Sequence, residues 1–436
     1  MRVPAPESSA NVSSPGESVS YRNLHILILV CGFVLRFGFV LWKKTYVTAP
    51  DPFFRLGMEI CSVAGHIVRG QGFSSPFIAD TGPTAWISPI YPYFVALVFR
   101  LFGIYSTASA IVILGIQCII AAATGITIHG LGRRTLGARI AFWAAWIWTL
   151  SPFFFRWPAS WIWEFAASAF FLTWTFLITL DVAEKNSRKH WLALGALWAV
   201  IALTNPALLS VMPFTFLYVA FVNHRLFRPW FASAALACVL FAALVSPWLI
   251  RNELVFGRPV FFRSNFWFEF HLGNYHFSNG MGFSGKHPGG NAAELQKYSD
   301  WGEMRYIDYY RQDSLRFVRE YPREFLDLTL HRTWWFWDGT SLGYQSREWW
   351  QPWEFWPLSL LGWLGLLFVL TRRPRGWFLF AVALVIYPLP YYFVYPVAKY
   401  RHAIEPVLLL LSVYVVFLVV SEVHVMVSAK QQLRPR

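Results

Sequence analysis

The sequence predicts an all-α, polytopic bundle of transmembrane helices, with about ten spans (nine to twelve) and juxtamembrane helices in two outer loops. Three observations predict it. Of 436 residues, 56% are hydrophobic and only 14% are charged, where soluble domains average about 45–50% and about 25%. Apolar runs near the length of a bilayer crossing, about 20 residues, recur along the chain. Short basic clusters fall on alternate connections between those runs, as one shared cytoplasmic side requires.

Residues 1–21, rich in Ser, Pro and Glu, are expected as a disordered cytoplasmic tail. The membrane domain is expected over 22–424 and a second cytoplasmic tail over 425–436. Spans are expected near 24–42, 107–130, 138–155, 162–181, 191–205, 207–222, 229–250, 354–371, 377–396 and 403–424. The first run lacks a small-residue cleavage site and reads as an anchor. Asn205-Pro206 predicts a break between two short segments, because proline lacks the helical donor. The basic clusters are Arg133, Arg134 and Arg139; Lys185, Arg188 and Lys189; Arg225 and Arg228; Arg372, Arg373 and Arg375; and Lys430, Arg434 and Arg436. Placed on one side, they put both termini in the cytoplasm. Segment 86–103 is apolar, but counting it as a span would break the alternation. It is read as a juxtamembrane or half-inserted helix.

Two long outer stretches follow from this topology, 43–106 and 251–353. The second carries twelve Lys/Arg and twelve Asp/Glu, and long loops cross a membrane regardless of charge. From Asn291 to Trp337 it reads as helix interrupted at Pro322, with Tyr306, Tyr309 and Tyr310, then Phe325, Leu328 and Leu330, at helical spacing. Helices lying on the membrane surface over a cavity are expected. The net charge of +14 resides largely in short loop clusters, and the 24 Trp and 19 Tyr suit interfacial belts, so no nucleic-acid partner is expected. Cys31, Cys61, Cys118 and Cys238 lie far apart and suggest neither zinc nor a disulfide framework. His271, His276 and His287 match no zinc spacing.

Chemistry is sought at the outer boundary. Asp51 and Glu59 form a short acidic stretch soon after the first span. Sugar transfer to a hydroxyl needs a base for the acceptor's proton, although ordinary solvated carboxylates are the plainer account of either residue. Arg55, Arg69, Arg251, Arg258, Arg263, Lys399 and Arg401 lie at the same interface, where a departing phosphate would need positive charge. Arg401, opening the last span among aromatics, is the foremost phosphate candidate; lipid headgroups and snorkelling are the bland alternatives. Arg36 inside the first span and Glu164 near the start of another each require a partner or water, and Arg36 is within snorkelling reach of the outer end. The loop Thr81-Gly-Pro-Thr-Ala-Trp86, then Ser88-Pro-Ile-Tyr91-Pro, is shaped by glycine and proline. Glu59 and Asp51 are thus the catalytic candidates; Arg251, Arg401, Lys399, Arg69, Glu164 and Tyr91 are the substrate-binding ones.

Several segments resemble the GT-C class of membrane glycosyltransferases, in the branch related to protein O-mannosyltransferases and lipid A aminoarabinose transferases. They are Glu59 through Gly70-Gln-Gly-Phe73-Ser-Ser-Pro, Thr81 through Tyr91-Pro, Leu101-Phe-Gly103, Ile162-Trp163-Glu164 and Leu203-Thr-Asn205-Pro206. Pro247-Trp-Leu-Ile-Arg251-Asn252 leading to Phe256-Gly257, Ser264-Asn265, Gly273-Asn274, and Tyr400-Arg401 through Glu405-Pro406 complete the set. The resemblance implies a GT-C-like fold, a polyprenyl-phosphate sugar donor, an inverting transfer, and a base in the first outer loop. Many members carry an Asp-Glu pair there; here Asp51 is followed by Pro52, and Glu59 or Asp51 remains as the base. Some members use a divalent metal, Mg or Mn, and no metal ligand is assigned here. A lipid, glycan or protein acceptor and a bacterial inner membrane are the expected setting. The competing readings are a multi-span transporter or flippase, and a non-catalytic, polymerase or ligase component of cell-envelope glycan assembly. No internal repeat marks a transporter, and the polar residues gather at the outer rim.

Overall fold

The computed structural model describes residues 15–47, 57–77, 79–282, 285–340 and 351–432. Among these no strand occurs, only an isolated bridge between Ser74 and Pro83. Helix α1 (Pro15–Lys43) leads into two short helices packed on each other, α2 (Met58–Val68) and α3 (Ile90–Phe102), and then into α4 (Thr107–Thr135), which runs back along α1. Next come α5 (Ala138–Leu150), the short α6 (Arg156–Ser160), α7 (Phe165–Lys185), α8 (Arg188–Ala202), α9 (Met212–Arg225) and α10 (Phe231–Phe256). An outer layer follows, made of α11 (Phe266–Gly273), α12 (Ala292–Trp301), α13 (Glu303–Glu320) and α14 (Pro322–Asp338). The last helices are α15 (Gln351–Arg372), α16 (Trp377–Val385), α17 (Leu389–Phe393) and α18 (Glu405–Gln432).

Seven segments are long and apolar enough to cross a membrane: Tyr21–Lys43, Thr107–Thr135, Phe165–Lys185, Pro206–Arg225, Phe231–Phe256, Phe355–Arg372 and Ala398–Glu422. Their outward faces leave Val34, Val239, Leu367 and Val420 bare, which suits a hydrocarbon solvent. The protein is an integral, multi-pass membrane protein. Two expected spans come out shorter, α5 with 13 residues and α16 with 9, while α8 has 15, the short segment expected before Asn205-Pro206. The causes are local. Ser151-Pro152 ends α5, Asn205-Pro206 ends α8, and Pro388 stands between α16 and α17. Segment 86–103 contains α3, whose 13 residues fall well below a bilayer crossing.

Close helix contacts rest on small residues. A Cβ on Gly195 of α8 would sit 2.4 Å from the Ala237 carbonyl oxygen of α10, and one on Gly365 of α15 would sit 2.5 Å from that of Leu411 in α18. Arg36 does not snorkel. It is fully buried and donates to the carbonyls of Trp148 (2.6 Å) and Thr149 (3.2 Å), the orphan acceptors left where α5 stops. In the outer layer α13 is amphipathic: Tyr306, Ile307, Tyr310 and Phe317 face inward, while Arg305, Arg311, Arg316 and Arg319 are exposed.

The bundle has two chemically different ends. At one, Arg134 of α4 pairs with Asp181 (3.1 Å) and Glu184 (2.9 Å) of α7, and Arg375 pairs with the same Glu184. Glu164 flanks the other end of α7, about 30 Å away along a helix of 21 residues. The start of α2, the outer layer and the segment before α18 meet at the Glu164 end.

Candidate active site

A cavity of about 510 Å³ lies at the Glu164 end. Three carboxylates (Glu59, Glu164, Glu269), two cations (Arg263, Lys399) and a wall of aromatic rings, Trp86, Trp163, Tyr391 and Tyr395 among them, line it.

Glu59 stands in the first turn of α2, which Gly57 opens with a φ of 83°. Ser62, one turn on, donates to the carbonyls of Ser75 and Phe77, both at 2.8 Å, and folds the glycine-rich loop back onto α2. The Glu59 side chain is 8% exposed; Oε1 lies 3.4 Å from His287 Nε2, and the buried Oε2 has no hydrogen-bond partner among the described residues. Glu164 shows the same asymmetry. Its Oε1 accepts a hydrogen bond from Arg263 at 2.8 Å, while its buried Oε2 has no partner among the described residues. Arg263 also donates to Ser88 Oγ (3.0 Å) and to the Thr204 carbonyl (3.3 Å), which the break at Asn205-Pro206 leaves outside any helix.

Glu269 projects from α11. Its Oε1 accepts from Asn265 Nδ2 (3.0 Å), and its other oxygen accepts from the Tyr395 hydroxyl. Burial pushes this carboxyl above the usual carboxylate range; the Tyr395 bond, His287 and Arg263 oppose the rise, and Glu59 adds to it. Lys399 sits in the 3₁₀ turn Ala398–Ile404, with its ammonium 5.3 Å from the Trp163 ring and 5.4 Å from that of Phe165. All three cavity carboxylates lie within its electrostatic reach. Behind the wall, Glu303 of α13 accepts from the Ala85 amide (2.8 Å), the Tyr298 hydroxyl (2.6 Å) and the Thr84 hydroxyl. Burial raises this carboxyl too. The bonds pin the Thr81–Trp86 loop beneath the outer layer and set Trp86 on the cavity wall.

Residues 85–250 match the dolichyl-phosphate-mannose-protein mannosyltransferase family. No curated protein matches the chain by sequence. Among solved structures, the chain is similar to the oligosaccharyltransferase of Archaeoglobus fulgidus in its apo form, at 15% identity and a TM-score of 0.54 over 97% of this chain and 53% of that one. The same archaeal enzyme in complex with an inhibitory peptide and a dolichol-phosphate gives 14% identity and a TM-score of 0.51, again over 97% and 53%. The fold is GT-C-like. The chain spans about half the length of those oligosaccharyltransferase chains.

Within this GT-C-like fold, the structure brings Glu59, Glu164 and Lys399 together on one cavity. Asp51 and Arg55 lie outside the described residues. The other expected site residues stand elsewhere. Arg401 is fully buried and donates to the Trp337 carbonyl (3.1 Å), the Phe355 carbonyl (3.4 Å) and Ser359 Oγ (2.6 Å), joining α14 and α15 to the start of α18. Arg251 gives its donors to the carbonyls of Thr84 (2.7 Å) and Phe73 (2.8 Å), bracing the loop between α2 and α3. Arg69 is exposed at the end of α2. Tyr91 is one layer back: its hydroxyl donates to Gln117, whose amide holds the carbonyls of Pro158 and Trp161, both at 2.7 Å, and so shapes the turn before Glu164.

Glu269, His287 and Glu303 escaped the sequence reading as site residues. For Glu269 a signal existed, a lone carboxylate inside the aromatic run Phe266 to Phe270. Among the described residues no group of three His, Cys, Asp or Glu side chains is placed to hold a metal ion, so no step is built on one.

Proposed function

We propose that the protein is a membrane glycosyltransferase that moves a sugar from a polyprenyl-phosphate donor to an acceptor hydroxyl or amine, with inversion. One observation carries the reading: Glu59, with a buried oxygen that has no partner among the described residues, shares a cavity at one end of a membrane bundle with the cations Arg263 and Lys399. The match to a dolichyl-phosphate-mannose-dependent family and the dolichol-phosphate in a structural neighbour support a lipid-phosphate donor.

In this reading Glu59 Oε2 takes the acceptor's proton as the acceptor oxygen or nitrogen attacks the anomeric carbon. The bond from that carbon to the phosphate oxygen breaks, and the lipid phosphate leaves as a monoester with one more negative charge. Arg263 and Lys399 meet that charge. Glu164 holds Arg263 in place, and the aromatic wall excludes water and offers faces for sugar rings. The cavity end is the outer one, because the basic loops gather at the Arg134 end; both termini are then cytoplasmic, in a bacterial inner membrane.

Purified protein incubated with a labelled polyprenyl-phosphate sugar tests this. Wild type should release and transfer label, and Glu59→Gln should lose about 10²–10⁴-fold in turnover while remaining folded. Full turnover in Glu59→Gln with loss in Asp51→Asn would move the base to Asp51; full turnover in both would end the transferase reading. Chelation followed by Mg or Mn addition, read in the same assay, assigns any metal requirement.

A further inference from the structure

His287 lies in the long second outer loop, more than 200 residues after Glu59, yet its ring packs behind the cavity wall, against Trp86 and beside Glu59. The edges and faces of Phe77 (5.6 Å), Phe268 (5.7 Å) and Trp86 (6.3 Å) box the imidazole in, so its orientation is fixed by packing. The amide of Gly289 donates to Nδ1 at 3.1 Å. An Nδ1 that accepts carries no proton, so the neutral ring has its proton on Nε2. That nitrogen stands 3.4 Å from Glu59 Oε1. The other Glu59 oxygen, buried and unpartnered among the described residues, is the one left for a substrate.

We propose that His287 is the positioning partner of Glu59: a neutral N–H donor, locked in one tautomer by the Gly289 amide, that holds Oε1 and presents Oε2 to the acceptor. The inference rests on Glu59 being the base. A donor to the ionised carboxylate favours the charged form, the form that can take a proton. The distance is long for a hydrogen bond, as catalytic contacts often are before substrate binds. Glu59 is also faced by Lys399, of opposite charge, and by Glu269, of like charge. Glu164 and Arg263, paired with each other, share the cavity. All four remain in the variants below, so a change reads His287 alone.

The test uses the full-length protein in liposomes and a pair of variants alike in shape, His287→Met without the donor and His287→Gln with an N–H in its place. The expected result is an acid limb of the kcat profile displaced upward by about one pH unit in His287→Met. Turnover at neutral pH should fall about tenfold, with the KM for the donor lipid unchanged, and His287→Gln should restore both. An unmoved acid limb in a folded His287→Met, or a His287→Gln no better than His287→Met, overturns the proposal. If Glu59→Gln is inactive while the limb stays put, the positioning role alone fails; if Glu59→Gln is active, the base assignment fails with it.

Discussion

The two ends of α7 hold similar side chains under opposite physical regimes. At the Arg134 end, Asp181 and Glu184 are 28% and 34% exposed, and basic neighbours serve them both: Arg134 for each, Lys185 for Asp181 and Arg375 for Glu184. Water screens these pairs, and each is worth little. At the other end, Glu164 and Glu59 are 4% and 8% exposed, and each keeps one oxygen without a partner among the described residues. Stability alone would disfavour that arrangement, since a buried charge short of partners costs free energy that an apolar residue would not. The charges at the first end brace the bundle; those at the second leave buried oxygens open, as the proposed site requires.

This contrast breaks most sharply at Arg263. Arg263→Ala leaves Glu164 buried with no cation at bonding distance, and frees Ser88 and the Thr204 carbonyl as well. It should cost about 3–5 kcal/mol in unfolding free energy and abolish transfer. Thermal unfolding of the detergent-solubilised protein measures the first, and label transfer the second. Arg263→Ala/Glu164→Gln should recover much of the stability and none of the activity, since it removes the stranded charge and not the need for a cation.

Lys399→Met keeps the aliphatic stem among Trp163 and Phe165 and removes only the charge. A fall in kcat of about 10²–10³-fold with a melting temperature near wild type is expected, because the ammonium acts where charge develops. An unchanged kcat would remove Lys399 from the phosphate site.

Glu269 gives a smaller effect with a distinctive sign. Its carboxyl is raised in the folded state by burial, so folding favours its protonated form. The stability it contributes is fully present below the unfolded pKa and is lost as pH rises through the folded one. Glu269→Gln, uncharged at every pH, should therefore melt higher than wild type at neutral pH, with the gap closing on acidification. Melting curves from pH 4 to 8 check this, and a gap that widens towards acid would reverse the assigned direction.

How much of this was legible beforehand follows the same division. Apolar runs are local signals, so an all-helical membrane bundle and the break at Asn205-Pro206 could be read directly, while the short α5 and α16 show where prolines overrule run length. Glu59, Glu164 and Lys399 were visible as charges bordering apolar runs. His287 and Glu303 were not, and Glu269 left only the trace of a lone carboxylate among aromatics, because their meaning comes from the stretch between α10 and α15 folding over α2 and the Thr81–Trp86 loop. Arg401 shows the converse. An arginine opening a span among aromatics reads alike whether its donors go to a ligand or to carbonyls, and the carbonyls that take them, Trp337 and Phe355, lie 64 and 46 residues away.

The smallest expected effect is the control that gives the others meaning. Arg134→Ala removes two ion pairs at 3.1 and 2.9 Å, more contacts with carboxylates than Arg263 makes. If counting pairs predicted importance, this variant would be the worse of the two. Its partners are part-exposed, and Lys185 and Arg375 stay beside Asp181 and Glu184. No carboxylate is stranded, and water takes up what the guanidinium leaves. Unfolding free energy should change by no more than about 1 kcal/mol, and transfer should be unaffected, since the site lies a full span away. A loss of activity with stability retained would mean that the two ends of α7 are coupled, and the separation between a bracing end and a binding end would have to be abandoned.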